Sequence, residues 1–279
     1  MSNYHLSKDK QIAVTAALAE GSSIRSIERM TGIHRDTIMR LGVRIGQGCA
    51  RLLDAKMRNL DSTSIQVDEI WGFVGKKDRS LKETDNTYEV GSVWTYCAID
   101  TDSKIVPSYL VGKRDSASTD AFIADLASRL KNRIQLASDG FPAYLDAVEQ
   151  AWGSGVDYSQ IVKSYQTEEG SKYTPERRYS PPKFVSVSKF AIAGNPDLLR
   201  AHTSHVERLN ASTRLHVKRL NRLTLAFSKK RENFEAAVAL HFAAYNFVRP
   251  HNTLKMTPCM AAGIERKFWS WGDLVEAAL

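Results

Sequence analysis

The chain has 279 residues, of which 43% are hydrophobic, and its formal net charge at neutral pH is +8. This length and hydrophobic content exclude a disordered chain and favour one large domain with an accessory domain. The positive charge favours a polyanionic partner such as nucleic acid, although many basic proteins bind none.

The cysteine pattern and the hydropathy pattern exclude other classes of protein. Cys49, Cys97 and Cys259 are far apart and form no CxxC pair, which indicates neither a disulfide framework nor a zinc site. No apolar run reaches the ~18 residues that a membrane-spanning helix needs, and residues 1–10 are polar rather than signal-like. We therefore expect a protein of the reducing cytoplasm.

The first part of the chain predicts three helices with the spacing of a helix-turn-helix. Ser7 and Ser23 are suited to cap the first two helices, and a tight turn at 31–33 precedes a third helix that begins near His34. The apolar residues that would close a small core between these helices are Ile24, Ile27, Ile33, Ile38 and Leu41. Any three-helix bundle could show the same pattern.

The outward face of the third helix carries side chains suited to DNA, because a recognition helix presents such a face to the major groove. The predicted DNA-binding residues on this helix are Arg35, Thr37, Arg40 and Arg44.

The sequence changes character after the third helix. Gly42, Gly46 and Gly48 are expected to weaken that helix, and residues 51–61 read as a polar, basic connector. We therefore place a domain boundary near residue 60. The predicted units are a helix-turn-helix domain with its linker (1–60), an α/β domain (61–264) and a C-terminal tail (265–279).

The sequence of the α/β domain predicts a mixed sheet of five strands with flanking helices. A turn at 101–103 makes the second and third strands a hairpin, and the following helix returns the chain so that the fourth strand lies parallel to the first. The predicted strands are 65–74, 93–100, 105–111, 134–138 and 158–165, and the predicted helices between them are 119–130 and 141–152. A long basic segment near 166–202 is expected to be a functional or mobile insertion.

Another helix, beginning near Ser204 and continuing to Leu223, carries one acid at the head of a basic stripe. At about 100° per residue the acid, Glu207, shares a face with basic residues further along. These basic residues are Arg214, Lys218 and Arg222. They form either a solvated surface or a stripe that follows DNA phosphates. In the tail, Trp269 and Trp271 are expected to pack rather than to stack on bases.

Three carboxylates, on Asp68, Asp139 and Glu207, are the candidate catalytic and metal-binding residues. Asp68 lies on the first predicted strand and Asp139 directly follows the fourth, so the two would be neighbours across the sheet. Carboxylate oxygens are ligands that Mg²⁺ prefers, and converging carboxylates can hold ions that support phosphoryl transfer. Taken singly, each acid is equally compatible with a turn or a salt bridge.

Other polar residues near these acids have less specific interpretations. Glu69 should point to the opposite face of the strand from Asp68, so we expect structural pairing rather than binding of the same metal. His205 is expected to contact DNA or to lie behind the metal ligands, and Asn210 is close enough in helical angle to support Glu207.

Several motifs together resemble the bacterial insertion-sequence transposases of the DDE class, and most closely the group of the smallest, first-numbered insertion sequence. The motifs are VDEIW at 67–71, SDG at 138–140, HVERLN at 205–210, LTLAFS at 223–228 and YNFVRPH at 245–251. The resemblance covers roughly residues 60–264, and its most specific part is the run after Glu207. Some members of the group carry an N-terminal cysteine-rich zinc module, which this chain lacks.

The resemblance implies a ribonuclease H-like catalytic fold in which Asp68, Asp139 and Glu207 bind two Mg²⁺ ions, with Mn²⁺ able to replace them. Arg214 matches a basic residue common at that position. The implied partners are the terminal inverted repeats of a mobile element and target DNA. Two element ends must be paired, so at least a homodimer is expected, in the bacterial cytoplasm and associated with the nucleoid.

The sequence therefore predicts a DNA transposase that hydrolyses a phosphodiester at the element's end and transfers the freed 3′-hydroxyl to target DNA. Two alternatives remain open at this stage. One is a nuclease of the same fold that does not join strands. The other is a helix-turn-helix regulator whose nuclease-like domain is inactive.

Overall fold

A mixed sheet of six strands lies at the centre of the protein, which a computed structural model describes over residues 6–166 and 183–279. The strands are β1 (Ser64–Val74), β2 (Gly91–Asp100), β3 (Tyr109–Gly112), β4 (Gln135–Asp139), β5 (Asp157–Gln166) and β6 (Lys183–Ala193). Their order in the sheet is β3-β2-β1-β4-β5-β6. β1, β4 and β5 run parallel, whereas β2 and β6 are antiparallel to their neighbours.

The prediction of a mixed α/β sheet is confirmed, but the number of strands was wrong by one. β6 pairs along the whole of β5 and lies in the segment predicted as an insertion at 166–202. Residues 167–182 of that segment lie outside the described residues. β6 is an edge strand and most of its side chains are exposed, so it lacks the buried apolar pattern that marks the other strands.

Helices cover both faces of the sheet and form the N-terminal part of the chain. They are α1 (Lys8–Ala19), α2 (Ile24–Thr31), α3 (Arg35–Lys56), α4 (Ser116–Arg129), α5 (Ala143–Trp152), α6 (Ser204–His216), α7 (Arg231–Ala243), α8 (Pro258–Ala261) and α9 (Trp271–Ala278). Side-chain oxygens accept from free backbone N–H groups in the first turns of α2, α4, α8 and α9. Ser7 precedes α1 but does not cap it through its side chain.

β1 is buried on both faces because two separate apolar cores lie against it. Ile65 and Val67 belong to the core with α4 and α5, whereas Ile70 and Val74 belong to the core with α6 and α7. Successive side chains of a strand point to opposite faces, so alternate apolar residues of β1 stabilise both layers. The strand that carries Asp68 is thus held firmly in the middle of the molecule.

The first three helices have the local geometry that the sequence predicts. Gly32, with φ of 68°, ends α2 in a left-handed turn, and α3 begins three residues later. Ile27, Ile33, Ile38 and Leu41 are buried between the helices. Whether this arrangement binds DNA stays a prediction.

The expectation that glycines weaken the third helix is wrong, since α3 runs unbroken for 22 residues to Lys56. A Cβ atom on Gly46 would lie 2.3 Å from the carbonyl oxygen of Ala236 in α7, and one on Gly48 would lie 1.7 Å from that of Ala278 in α9. The glycines therefore allow close approach of helix backbones. α1, α2 and α3 share one hydrophobic core with α7 and α9. The connector predicted at 51–61 is helical as far as Lys56.

The C-terminal tail packs on the rest of the protein. The ring of Trp269 stacks on Phe247 at 4.6 Å between centroids, in agreement with the packing role expected for it, and α9 contacts α1 and α3. Among the residues described, no helix is both long and apolar enough to cross a membrane.

Candidate metal centre

Two acids meet at the carboxyl ends of the parallel strands in the middle of the sheet. β1 and β4 pair as far as Gln66 and Ala137, and two further residues in the same register bring Asp68 opposite Asp139, the last residue of β4. The backbone N–H of Phe141 donates to Asp139 Oδ1 at 3.0 Å, which holds that carboxylate at the end of its strand. The structure thus brings Asp68 and Asp139 together, as the sequence predicts.

Glu69 also comes within reach of these two acids, although it was expected to pair structurally rather than to share their metal. Carboxylate oxygens of Asp68, Glu69 and Asp139 all lie within 4.8 Å of one another. β4 ends at Asp139 while β1 continues to Val74, so within the described part of the chain no strand lies beside this stretch of β1, and Ser228 bridges to it only at Val74. Side chains from both faces of β1 can therefore turn towards the gap. The backbone N–H of Glu69 donates to Asp68 Oδ1 at 2.8 Å and turns that carboxylate along the strand.

Burial and mutual repulsion make ionisation of this carboxylate cluster unfavourable. Burial raises the pKa of Asp68 to about 6, and the negative charges of Asp139 and Glu207 add to the rise. Burial raises the pKa of Glu69 to about 8, again with repulsion from Asp139 and Asp68. A cation bound between the three carboxylates would offset both the cost of burying their charges and their mutual repulsion.

A divalent cation fits the chemistry of the cluster. The Glu69 side chain is only 2% exposed, and its buried Oε1 atom makes no hydrogen bond of normal geometry, although the buried hydroxyl of Tyr144 is near enough to favour the charged carboxylate. A buried carboxylate oxygen without a partner is costly unless something outside the protein satisfies it. Three converging carboxylates offer hard oxygen ligands of the kind that Mg²⁺ prefers.

Arg114 is the basic residue closest to the buried acid. Its guanidinium lies over the rings of Phe141, at 4.1 Å, and Trp94, at 5.0 Å, and a terminal nitrogen is 3.8 Å from Glu69 Oε2. This distance is too long for a hydrogen bond. Arg114 therefore offsets the charge of Glu69 only in part.

Gln66 connects β1 to the start of α6. Its Oε1 atom accepts from the backbone N–H groups of His205, at 2.9 Å, and Val206, at 3.1 Å, which have no partner within the helix. Its Nε2 atom lies 3.0 Å from His202 Nδ1. Because Gln66 is fully buried, it fixes the beginning of α6 next to the carboxylate cluster.

Glu207 lies on the first turn of α6 but is not part of the carboxylate cluster. One of its oxygens forms a short ion pair with Lys163 of β5 and accepts from Thr203 Oγ1 at 2.5 Å. Its side chain is 46% exposed. Glu207 is nevertheless close enough to contribute to the raised pKa of Asp68. Its role as a metal ligand stays a prediction.

Asn210 contacts Asp68 rather than Glu207, the residue it was expected to support. Its Nδ2 atom donates to Asp68 Oδ2 at 2.7 Å, and the buried thiol of Cys97 donates to its Oδ1 atom at 3.1 Å. With the N–H of Glu69 on the other oxygen, both oxygens of the Asp68 carboxylate have a donor. Asn210 therefore orients Asp68.

The ring of His205 faces Lys104 and not the carboxylate cluster. Lys104 Nζ lies 3.3 Å from Nδ1, and burial, aided by the positive charge of Lys104, lowers the pKa of His205. The imidazole is thus kept neutral, and the described contacts of His205 with the site run through its backbone and Gln66.

The basic stripe predicted after Glu207 is broken by the end of the helix. α6 ends at His216, so Lys218 lies in a separate 3-10 turn and Arg222 follows it outside any helix. The prediction of one continuous helical face was therefore wrong. Arg214 remains on α6, where it donates to the carbonyl of Leu220, and its guanidinium is attracted by Asp68 and repelled by Arg222.

The DNA-binding residues predicted on α3 are outward-facing. Arg35, Arg40 and Arg44 are exposed and Thr37 is partly exposed. They lie on the N-terminal half of α3, outside the carboxylate cluster.

Sequence reasoning missed four residues that shape the site, namely Gln66, Glu69, Arg114 and Lys163. For Glu69 a signal existed, because the predicted first strand is longer than the predicted fourth, which leaves its last residues without a neighbour on that side. Gln66, Arg114 and Lys163 contact their partners across long stretches of sequence, and no local pattern marks them.

No known family model matches the chain, and no curated protein matches it. Among solved structures it is similar to the piggyBac transposase in a cryo-EM structure of a synaptic complex with hairpin DNA, with a TM-score of 0.50 and 8% sequence identity. The match covers 97% of this chain and 70% of that one. At this identity the likeness concerns the fold, and it supports a transposase-like, ribonuclease H-like arrangement of sheet and helices.

Proposed function

We propose that this protein is a DNA transposase of the DDE class, related to bacterial insertion-sequence enzymes. In this proposal it binds the ends of a mobile element, hydrolyses a phosphodiester there and transfers the freed 3′-hydroxyl to target DNA without a covalent protein–DNA link. The observation that carries the proposal is the carboxylate cluster of Asp68, Glu69 and Asp139 within 4.8 Å at the ends of the central strands. The similar fold of a transposase in a complex with hairpin DNA supports DNA as the substrate.

Asp68 and Asp139 are the proposed metal-binding core of the site. Two bound Mg²⁺ ions, or Mn²⁺ ions in their place, would activate the attacking water or 3′-hydroxyl for deprotonation and stabilise the leaving oxygen. Asn210 keeps Asp68 in the orientation described above. Glu69 adds a buried carboxylate to this core. Glu207 would complete the site by releasing Lys163 and binding a metal ion instead.

The proposed DNA contacts are spread over two parts of the chain. On α3 they are Arg35, Thr37, Arg40 and Arg44, and near the carboxylates they are Arg214, Lys218 and Arg222. The first group would read the element's ends in the major groove, and the second would bind phosphates near the cleavage point. Pairing of two ends requires at least a dimer.

The experiment that tests the proposal uses the DNA that flanks this reading frame, where terminal inverted repeats are expected. Wild-type protein with Mg²⁺ should nick a duplex that carries such a repeat and join its 3′-hydroxyl to a plasmid. Asp139→Asn should abolish nicking and leave the Kd for the duplex within about threefold, since the substitution removes a metal ligand and not a DNA contact. The exposed acid Asp146, on α5, provides the matched control Asp146→Asn.

Nicking by Asp139→Asn at the wild-type rate would refute the metal-dependent mechanism. Nicking without joining would indicate a nuclease of the same fold. Specific binding without nicking at any metal concentration would indicate a regulator. The shared core of α3 with α7 and α9 argues against a separable regulatory domain, so all three assays use the full chain.

A further inference from the structure

The segment between Leu220 and Ser228, which bridges to the end of β1 at Val74, holds two leucines out into solvent. Leu223 is 76% exposed and Leu225 is 100% exposed. Single exposed leucines are common on protein surfaces, but two such residues in one short segment leave an unusual amount of apolar surface in water.

Both ends of this leucine loop, residues 221–227, are firmly anchored. Leu220 is fully buried, and Ser228 forms a bridge with Val74 at the end of β1. The backbone N–H of Gly75 donates to the Ser228 carbonyl at 2.8 Å. The exposure of the two leucines is therefore a property of an anchored loop and not of a loose chain.

Side chains under the leucine loop hold it further in place. Arg219 donates to Ser228 Oγ at 2.7 Å and to the Asn233 carbonyl at 2.8 Å. The ring of Phe227 stacks on Phe73 of β1 at 5.0 Å between centroids. Phe227 therefore turns inwards, while Leu223 and Leu225 remain outside.

The surroundings of the leucine loop are strongly basic. Residues 211–231 contain no Asp or Glu, and Lys77 Nζ donates to the carbonyl of Arg222 at 3.2 Å. The exposed basic side chains in this stretch are Lys218, Arg222, Lys229 and Lys230. Arg214, on α6, donates to the carbonyl of Leu220, the buried residue from which the loop begins.

We infer that the leucine loop is a wedge that inserts Leu223 and Leu225 between base pairs of the bound DNA end, on the side of the site where β1 ends. Apolar side chains inserted between base steps unstack them and kink the duplex, while basic residues on either side bind the phosphates. The cores of protein–protein interfaces are instead depleted in charged residues, so a second protein fits this surface less well. The inference rests on the proposed function, since it assigns a role at the same DNA end.

The test measures base unstacking in metal-free buffer, so that no strand is cut. The probe is a set of duplexes carrying the flanking repeat, each with 2-aminopurine at one of the successive positions around the cleavage point. Wild-type protein should raise the fluorescence several-fold at one or two adjacent positions. Leu223→Ser combined with Leu225→Ser should abolish this rise and weaken binding about tenfold.

Leu199→Ser is the matched control, because Leu199 is 92% exposed and follows β6, near the opposite end of β4. It should leave both the fluorescence and the Kd unchanged. Fluorescence that still rises in the double variant would overturn the inference. So would a DNA-free sedimentation experiment in which the double variant dissociates a wild-type dimer, because that result assigns the leucines to a protein interface.

Failure of the wedge and failure of the proposed function are distinguishable. Cleavage of the repeat by wild-type protein without any fluorescence rise refutes the wedge alone. The absence of both binding and cleavage refutes the proposed function as well.

Discussion

The acids on the strands are buried together with few positive partners, whereas the acid on α6, Glu207, is partly exposed and paired with a lysine. Asp68, Glu69 and Asp139 lie together at the strand ends, and burial there raises the pKa values of the first two. Glu207, on α6, already has Lys163 and Thr203 as partners and is half exposed. The strands thus hold a site whose negative charge Arg114 offsets only in part, whereas the helix holds an acid that is already paired with Lys163.

The largest expected effect is on metal affinity, which should separate the two kinds of acid. Asp139→Asn should weaken Mn²⁺ binding by more than about a hundredfold, because even residues behind the metal ligands commonly contribute 10- to 100-fold. Glu207→Gln should weaken it less than about tenfold, because the fold does not place Glu207 in the cluster. Isothermal titration calorimetry measures both, and equal losses would remove the distinction.

A smaller effect is expected on the pH dependence of stability without metal. Burial raises the pKa of Glu69 from 4.5 in the unfolded chain to about 8, so the folded state binds its proton more tightly. The stability that this proton contributes is fully present below pH 4.5 and is lost as the pH rises to about 8. The melting temperature of metal-free protein should therefore fall over this range by several degrees, since about 1 kcal/mol corresponds to roughly 2–4 °C in domains of this size.

Glu69→Gln should flatten most of that fall, because glutamine does not titrate. Saturating Mg²⁺ should restore the melting temperature of the wild type at pH 8 and raise that of the variant by less, because the variant keeps Asp68 and Asp139 as ligands. Scanning calorimetry at several pH values measures these changes. An equally steep fall in the variant would show that another group is responsible.

The smallest expected effect is on the free energy of unfolding when the ion pair between Lys163 and Glu207 is removed. Lys163→Met should change the free energy of unfolding by no more than about 1 kcal/mol, because the pair is partly exposed and screened by solvent. It should strengthen Mn²⁺ binding a few-fold, since Glu207 no longer has a competing cation. Urea denaturation and calorimetric titration are the measurements, and weaker metal binding would show that Lys163 positions Glu207 for the site.

The sequence predicted those parts of the fold that local patterns determine. The apolar run at 65–74 predicted the strand that is observed as β1, and the tight turn at 31–33 predicted the break between α2 and α3, where Gly32 ends α2. Asp68 and Asp139 could be paired because the order of strands and helix dictates that β1 and β4 are parallel neighbours.

The remaining features depend on contacts that no local pattern records. Gly46 and Gly48 resemble helix-weakening residues until α7 and α9 are seen against them. Alternation along β1 separates Glu69 from Asp68, and it does not show that their carboxylates approach each other where β4 ends at Asp139. The pairing of Glu207 with Lys163 joins α6 to β5, and nothing in the sequence around either residue indicates it.

Because α3 is unbroken, its two ends are held at a fixed distance from each other. With 22 residues and a rise of about 1.5 Å for each, it spans roughly 33 Å. Its glycines fix the C-terminal half on α7 and α9, while its N-terminal half carries the exposed arginines. A duplex bound to those arginines would be held at a constant distance from Asp68 and Asp139. In the proposed function, the rigid packing of α3 would then fix the number of base pairs between the recognised sequence and the cut.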